Sequence, residues 1–149
     1  SAVTDRVLES IQGRSFDFVL ANYSNPDTIA HTANYEAGIQ AVKIIDKEIG
    51  RLLKVALNED TILVITSDHG NVEEMLDPMT ALPESQHDPN PVPFYLVAPE
   101  FKGKKFLNWR NLSAETMGSL ADVAPTILEL MEIEKPKTMT GRSLLEGLI

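Results

Sequence analysis

The sequence contains no cysteine. That excludes disulfides, thiolate metal sites and cysteine nucleophiles, and it leaves the compartment open. No apolar run approaches the roughly 20 residues that a membrane-spanning helix needs, and the opening residues do not have the basic, apolar and small-residue pattern of a leader. Basic side chains are the minority charge, 13 against 22 acidic ones, for a formal net charge of −9. Phosphate backbones are held by clustered Lys and Arg, so this balance argues against a nucleic-acid binder. What remains is ordinary for a folded chain: 149 residues, 43 % hydrophobic and 23 % charged. Such a composition excludes intrinsic disorder, and the length fits one domain or a large piece of one. A cytoplasmic location is the default expectation.

Along the chain, Ser1-Ala2-Val3 has the look of a processing or cloning remnant. Thr4 is a candidate N-cap for a short amphipathic helix carrying Val7, Leu8 and Ile11 and stopped by Gly13. Residues 16–22 (FDFVLAN) predict a buried strand. The polar stretch Tyr23-Ser24-Asn25-Pro26-Asp27 predicts a loop. From Asn34 to about Leu57, the positions Ala37, Ala41, Ile44, Ile45, Ile49, Leu52, Leu53 and Ala56 recur at three- and four-residue steps. They form one face of a long helix, with Lys43, Lys47, Glu48 and Lys54 mostly on the other. Residues 61–66 (TILVIT) and 93–97 (PFYLV) predict two more strands. Ser119-Leu120-Ala121-Asp122 resembles a capping box opening a helix to Met131, with Pro125 near its start. This order of strands and helices indicates an α/β fold. Residues 77–93 form a long, Pro-rich and irregular connection, of the kind that is usually functional or disordered.

The chemistry concentrates on three histidines, each with a carboxylate close by. Asp27-x-x-x-His31 follows the first predicted strand, Asp68-His69 ends the second, and His87-Asp88 precedes the third. Ligands of open α/β sheets gather outside the carboxyl ends of the strands. Imidazole with carboxylate suits a transition metal such as manganese or zinc better than calcium. Each pair also has a plainer explanation: Asp27 as a helix cap, Asp68-His69 as a turn, His87 as a surface residue. All three together favour a metal site.

NPDTIAHTANYEAGIQAVKIID resembles the NPD-x-x-x-H-T helix start of cofactor-independent phosphoglycerate mutases. TSDHGNVEEMLDPMT is similar to that family's DHGN-x-E-x-M segment, HDPNPVPFYLVAP to its H-x-x-NPVPF strand, and LADVAPTILELM with MTGRSLL to its ending. The DHG element alone would indicate only the alkaline-phosphatase superfamily. The resemblance runs collinearly from Phe16 onward, with departures at Ala30 and Ala33, where glycines are common, and at Asp88-Pro89, where two threonines are common.

The resemblance implies a three-layer α/β sandwich of the alkaline-phosphatase type, built on a mostly parallel central sheet and present here as a partial domain. It implies two Mn2+ ions and no 2,3-bisphosphoglycerate. Asp27, His31 and His87 would hold the first metal, and Asp68 and His69 would be two ligands of the second. The substrate would be a small phosphorylated acid, 3- or 2-phosphoglycerate, interconverted through a phosphoserine. The family's nucleophilic serine, its other second-metal ligands and its inserted substrate-binding domain have no counterpart here. The whole chain, residues 1–149, is therefore expected to be the C-terminal half of a metal-binding phosphatase domain, inactive as a mutase on its own. Ser24, Ser67 and Ser85 are not expected to replace the nucleophile, and Lys102, Lys104 and Lys105 are expected to be a solvated cluster. Another superfamily phosphomutase or phosphatase, or a non-catalytic metal-binding domain, are the alternatives.

Overall fold

The computed structural model describes residues 1–77, 79–101 and 116–148. They divide into two compact units, Ser1–Lys102 and Gly103–Ile149. The first unit holds helices α1 (Ala2–Gln12), α2 (Asn25–Ala30) and α3 (Tyr35–Ala56), strands β1 (Leu63–Thr66) and β2 (Phe94–Val97), and 3-10 turns at Val72–Glu74 and Pro99–Phe101. The second holds a 3-10 turn, Leu120–Asp122, that runs into α4 (Val123–Leu130), and a short α5 (Leu145–Leu148). None of the described helices is long and apolar enough to cross a membrane.

The spine of the first unit is α3, and both α1 and α2 pack on it. It starts where the sequence predicts, with the Asn34 side chain accepting the Ala37 N–H at 3.1 Å. It buries Gly38, Ala41, Leu52 and Ala56, mostly small residues that let neighbours approach closely. A side chain at Gly38 would strike the Met75 thioether, so this glycine lets the turn after β1 close onto α3. Two positions depart from the expected pattern. Ile44 is exposed, and Glu48, expected on the polar face, is buried. Glu48 is tolerated there because the Ser1 ammonium lies 2.8 Å from its Oε2 and the Arg51 guanidinium 2.9 Å from it.

Other local expectations also change. Ser1, not Thr4, caps α1, and the Thr4 hydroxyl instead shares a 2.9 Å hydrogen bond with the Tyr23 hydroxyl inside the unit. The predicted loop at Asn25-Pro26-Asp27 is the first turn of α2, because proline suits a position whose N–H has no helical partner. Residues 16–22 form no regular element. Among the described residues no backbone hydrogen bond joins them to another segment, and Phe16 and Leu20 are 70 % and 83 % exposed. Apolar periodicity alone does not hold a strand; a hydrogen-bonded neighbour does, and none lies alongside. The two strands that do form run antiparallel, with Leu63 opposite Val97 and Thr66 opposite Phe94. Their connection returns through a loop, without the helical crossover that parallel neighbours require. Ala33, where the resembling family commonly has glycine, sits at φ 52°, a left-handed conformation that costs a side-chain-bearing residue about 1–2 kcal/mol.

In the second unit the capping box at Ser119 forms as predicted, with the Ser119 N–H donating to Asp122 Oδ2 at 2.8 Å. Pro125 lies in the first turn of α4, where it is harmless. Asp122 also accepts the Arg142 N–H at 2.8 Å. That bond, then those from Ser119, hold the Asp122 carboxyl below the usual range. Lys102, Lys104 and Lys105 lie outside the described residues.

In a chain that starts at Ser1, the ammonium there, then the Thr4 hydroxyl and Arg51, depress the Glu48 carboxyl to about 2 from an ordinary 4.5. A depressed folded-state value contributes stability above the unfolded value, and that contribution disappears as the pH falls through the folded one. Acid titration of α1–α3 docking, followed by near-UV circular dichroism, is expected to show a loss between about pH 4.5 and 2. Glu48→Gln should make the loss in that window shallower, leaving the part that other depressed carboxylates such as Asp122 contribute.

Candidate metal centre

Helix α2 places Asp27 in its first turn and ends with His31 as its C-cap, so the two side chains share one face. His31 Nε2 lies 3.3 Å from Asp27 Oδ1. His87 comes from the long loop before β2, and its Nε2 is also 3.3 Å from Asp27 Oδ1. The two imidazole Nε2 atoms are 3.1 Å apart. Three donor atoms, two from α2 and one from a loop more than fifty residues on, therefore come together.

The loop carrying His87 is fastened to the turn after β1. The Asp88 N–H donates to the Gly70 carbonyl at 3.1 Å, and the Asn90 amide donates to Glu74 Oε2 at 3.0 Å. The His69 ring stacks on His87, with centroids 3.7 Å apart and planes inclined by 20°. A Cβ at Gly70 would meet the carboxylate ends of Asp88 and Glu73, so those side chains would have to turn aside to admit one.

Tautomer and charge follow from the hydrogen bonds. His31 Nδ1 lies 2.8 Å from the Ser85 carbonyl, which can only accept, so Nδ1 carries the proton. In the neutral ring Nε2 then presents a lone pair to the cluster, as is usual for metal-ligating histidine. Asn71 donates from Nδ2 to Asp27 Oδ1 at 2.7 Å. That bond, assisted by the neighbouring imidazoles and opposed by burial, holds the Asp27 carboxyl below the ordinary carboxylate range. Lone pairs aimed at one point need a positive centre between them, either a shared proton or a cation. Donors around one ion bonded at about 2.1 Å stand about 3.0–3.4 Å apart, and the observed separations fit that spacing.

Of the five histidine and aspartate positions singled out in the sequence, the structure brings Asp27, His31 and His87 together and sets His69 beside them. Asp68 differs: its side chain is 87 % exposed, and its Oδ2 is 3.7 Å from His69 Nε2. Ser67 donates to the His69 carbonyl at 2.8 Å and shapes the turn. Ser24 caps α2 through its carbonyl, which accepts from Thr28. The sequence reading gave no role to Asn71, to Gly70 or to the Ser85 carbonyl. The DHGN string contains two of these residues, but a carbonyl partner leaves no side-chain signal to read.

Comparisons with known proteins place the chain in a family. The fold matches a crystal structure of Leishmania mexicana phosphoglycerate mutase at low cobalt concentration, with a TM-score of 0.78 and 24 % identity over 95 % of this chain and 27 % of that one. The class is thus an α/β fold shared with that enzyme. A family model describing the Metalloenzyme superfamily matches residues 1–135, and the chain belongs to that superfamily. Among its relatives are proteins named 2,3-bisphosphoglycerate-independent phosphoglycerate mutase. The one from Syntrophotalea carbinolica is 46 % identical over 97 % of this chain and 26 % of its own length. The one from Thermomicrobium roseum is 44 % identical over 96 % of this chain and 26 % of its own. The chain spans about a quarter of the length of these curated relatives.

Gly70→Ala is expected to turn the Asp88 and Glu73 carboxylates aside and so loosen the His87 loop on the turn after β1. Overpacking of this kind costs about 1–3 kcal/mol, measurable as a lower urea midpoint. The upfield ring-current shift that His69 and His87 impose on each other should be lost in the proton NMR spectrum of the variant.

Proposed function

We propose that this chain is the metal-holding part of a cofactor-independent phosphoglycerate mutase, interconverting 3- and 2-phosphoglycerate through a phosphoserine in the whole protein. The observation that carries the proposal is the convergence of Asp27 Oδ1, His31 Nε2 and His87 Nε2 at 3.1–3.3 Å. Mutase relatives that cover nearly all of the chain supply the reaction. Under this reading the complete domain is a three-layer sandwich on a mostly parallel sheet, to which β1 and β2 contribute an antiparallel margin. The protein is cytoplasmic and needs no 2,3-bisphosphoglycerate. Its cofactor is a pair of divalent ions, Mn2+ by preference.

Bound divalent metal supplies positive charge that neutralises phosphoryl oxygens and lowers the pKa of a hydroxyl nucleophile. The work of this chain is to hold that charge in place. Asp27, His31 and His87 hold the first ion, with the Ser85 carbonyl fixing the His31 tautomer. His69 and Asp68 contribute to the second, with His69 oriented by its stack on His87. Three preplaced donors chelate more firmly than two. Calorimetric titration with manganese is expected to show one ion bound to the isolated chain, lost in His31→Ala and retained in His69→Ala. The reverse pattern would exchange the assignments.

Mutase turnover also needs a nucleophile and a pocket that retains the dephosphorylated acid. Ser67 is engaged by the His69 carbonyl, and neither Ser24 nor Ser85 directs its hydroxyl to the cluster through a hydrogen bond. Positioning and metal charge supply most of the barrier reduction in phosphoryl transfer. The purified chain, saturated with manganese and coupled to enolase, is therefore expected to convert 3-phosphoglycerate no faster than its His31→Ala variant. Clear turnover above that control would place a nucleophile within these residues.

A further inference from the structure

Resting on the metal reading above, we propose that Asn71 is a positioning residue, whose carboxamide holds the Asp27 carboxylate so that Oδ1 faces the two imidazoles. Asn71 is only 4 % exposed. Its Nδ2 donates to Asp27 Oδ1 at 2.7 Å, across 44 residues of sequence. Its own Oδ1 is buried with no hydrogen-bond partner among the described residues. An amide that leaves its acceptor half unpaired inside the protein is kept for its donor half. Exchanging the oxygen and nitrogen would turn a carbonyl against a carboxylate, so the orientation is fixed by chemistry.

The residue is well placed to act as a strut. Its backbone N–H donates to Glu73 Oε2 at 3.0 Å, and the turn Val72–Glu74 that follows packs against α2. Asp27, by contrast, has a side chain that is 39 % exposed. Among the described residues the hydrogen bonds and ion pairs of its carboxylate go to the two imidazoles and to Asn71. Without the amide, the carboxylate rotates freely and water competes for Oδ1. Partners of this kind outside the ligand shell typically change metal affinity by about 10–100-fold.

The test is a double-mutant cycle on cobalt(II) affinity, read by visible absorption, with far-UV circular dichroism on every variant. Asn71→Ala and Asn71→Leu, the latter keeping the side-chain volume, should each weaken binding by at least about tenfold and shift the cobalt band while the fold persists. In an Asp27→Ala background, Asn71→Ala should change affinity by less than about twofold. An equal loss in both backgrounds would overturn the proposal, as would affinity like the parent's in both single variants. A loss of affinity that follows a loss of secondary structure in both would assign Asn71 a structural role instead. His31→Ala binding cobalt as tightly as the parent chain would refute the metal reading itself, whatever Asn71 does.

Discussion

The Asp27 carboxylate is the point on which the rest of the site depends. Three segments far apart in sequence reach it: the end of α2, the turn after β1, and the loop before β2. Polar contacts close each side of the triangle they make. Asn71 joins the turn to α2 through Asp27 at 2.7 Å, Gly70 joins the turn to the loop through the Asp88 N–H, and Ser85 joins the loop back to α2 through His31. Each contact fixes one segment relative to another, so loosening any one of them frees the others.

These contacts matter because the apolar packing beneath them is thin. Of the buried apolar residues in the first unit, four are alanines, with Leu52 and Met75 the larger members. Alanines bury little area, and the hydrophobic contribution scales with area. What such small residues allow is close approach: α2, which carries Asp27 and buries Ala30, packs on α3, which buries Ala41. Specific hydrogen bonds then set the angular placement that non-directional packing cannot.

Several local signals in the sequence carried through to the structure. The span of α3, the Ser119 box and the two paired strands all followed from spacing and caps. The site histidines were legible because each stood beside a carboxylate and matched a family motif. Two misreadings were local, the cap of α1 and the start of α2; the others involved partners distant in the chain. Glu48 looked solvent-facing because its face of α3 is charged, yet Ser1 and Arg51 make a buried place for it. Residues 16–22 have the composition of a strand, but a strand is a relation between two segments. Asn71 was visible in the DHGN string, but its role depends on where Asp27 lies after folding.

Charge connects the centre to the proposed reaction. The chain carries a formal −9, a poor surface for a phosphorylated acid. Asp68, Glu73 and Asp88 add to the negative potential around the cluster. One carboxylate with two neutral imidazoles is a donor set of charge −1, so a divalent ion held there leaves one net positive charge facing outward. A set of three carboxylates would leave a net negative charge and repel the phosphoryl group. Two imidazoles in place of two carboxylates therefore do more than select a transition metal over calcium. Under the proposed function, they would let an acidic protein hold a divalent ion while leaving part of its positive charge available to a phosphorylated acid.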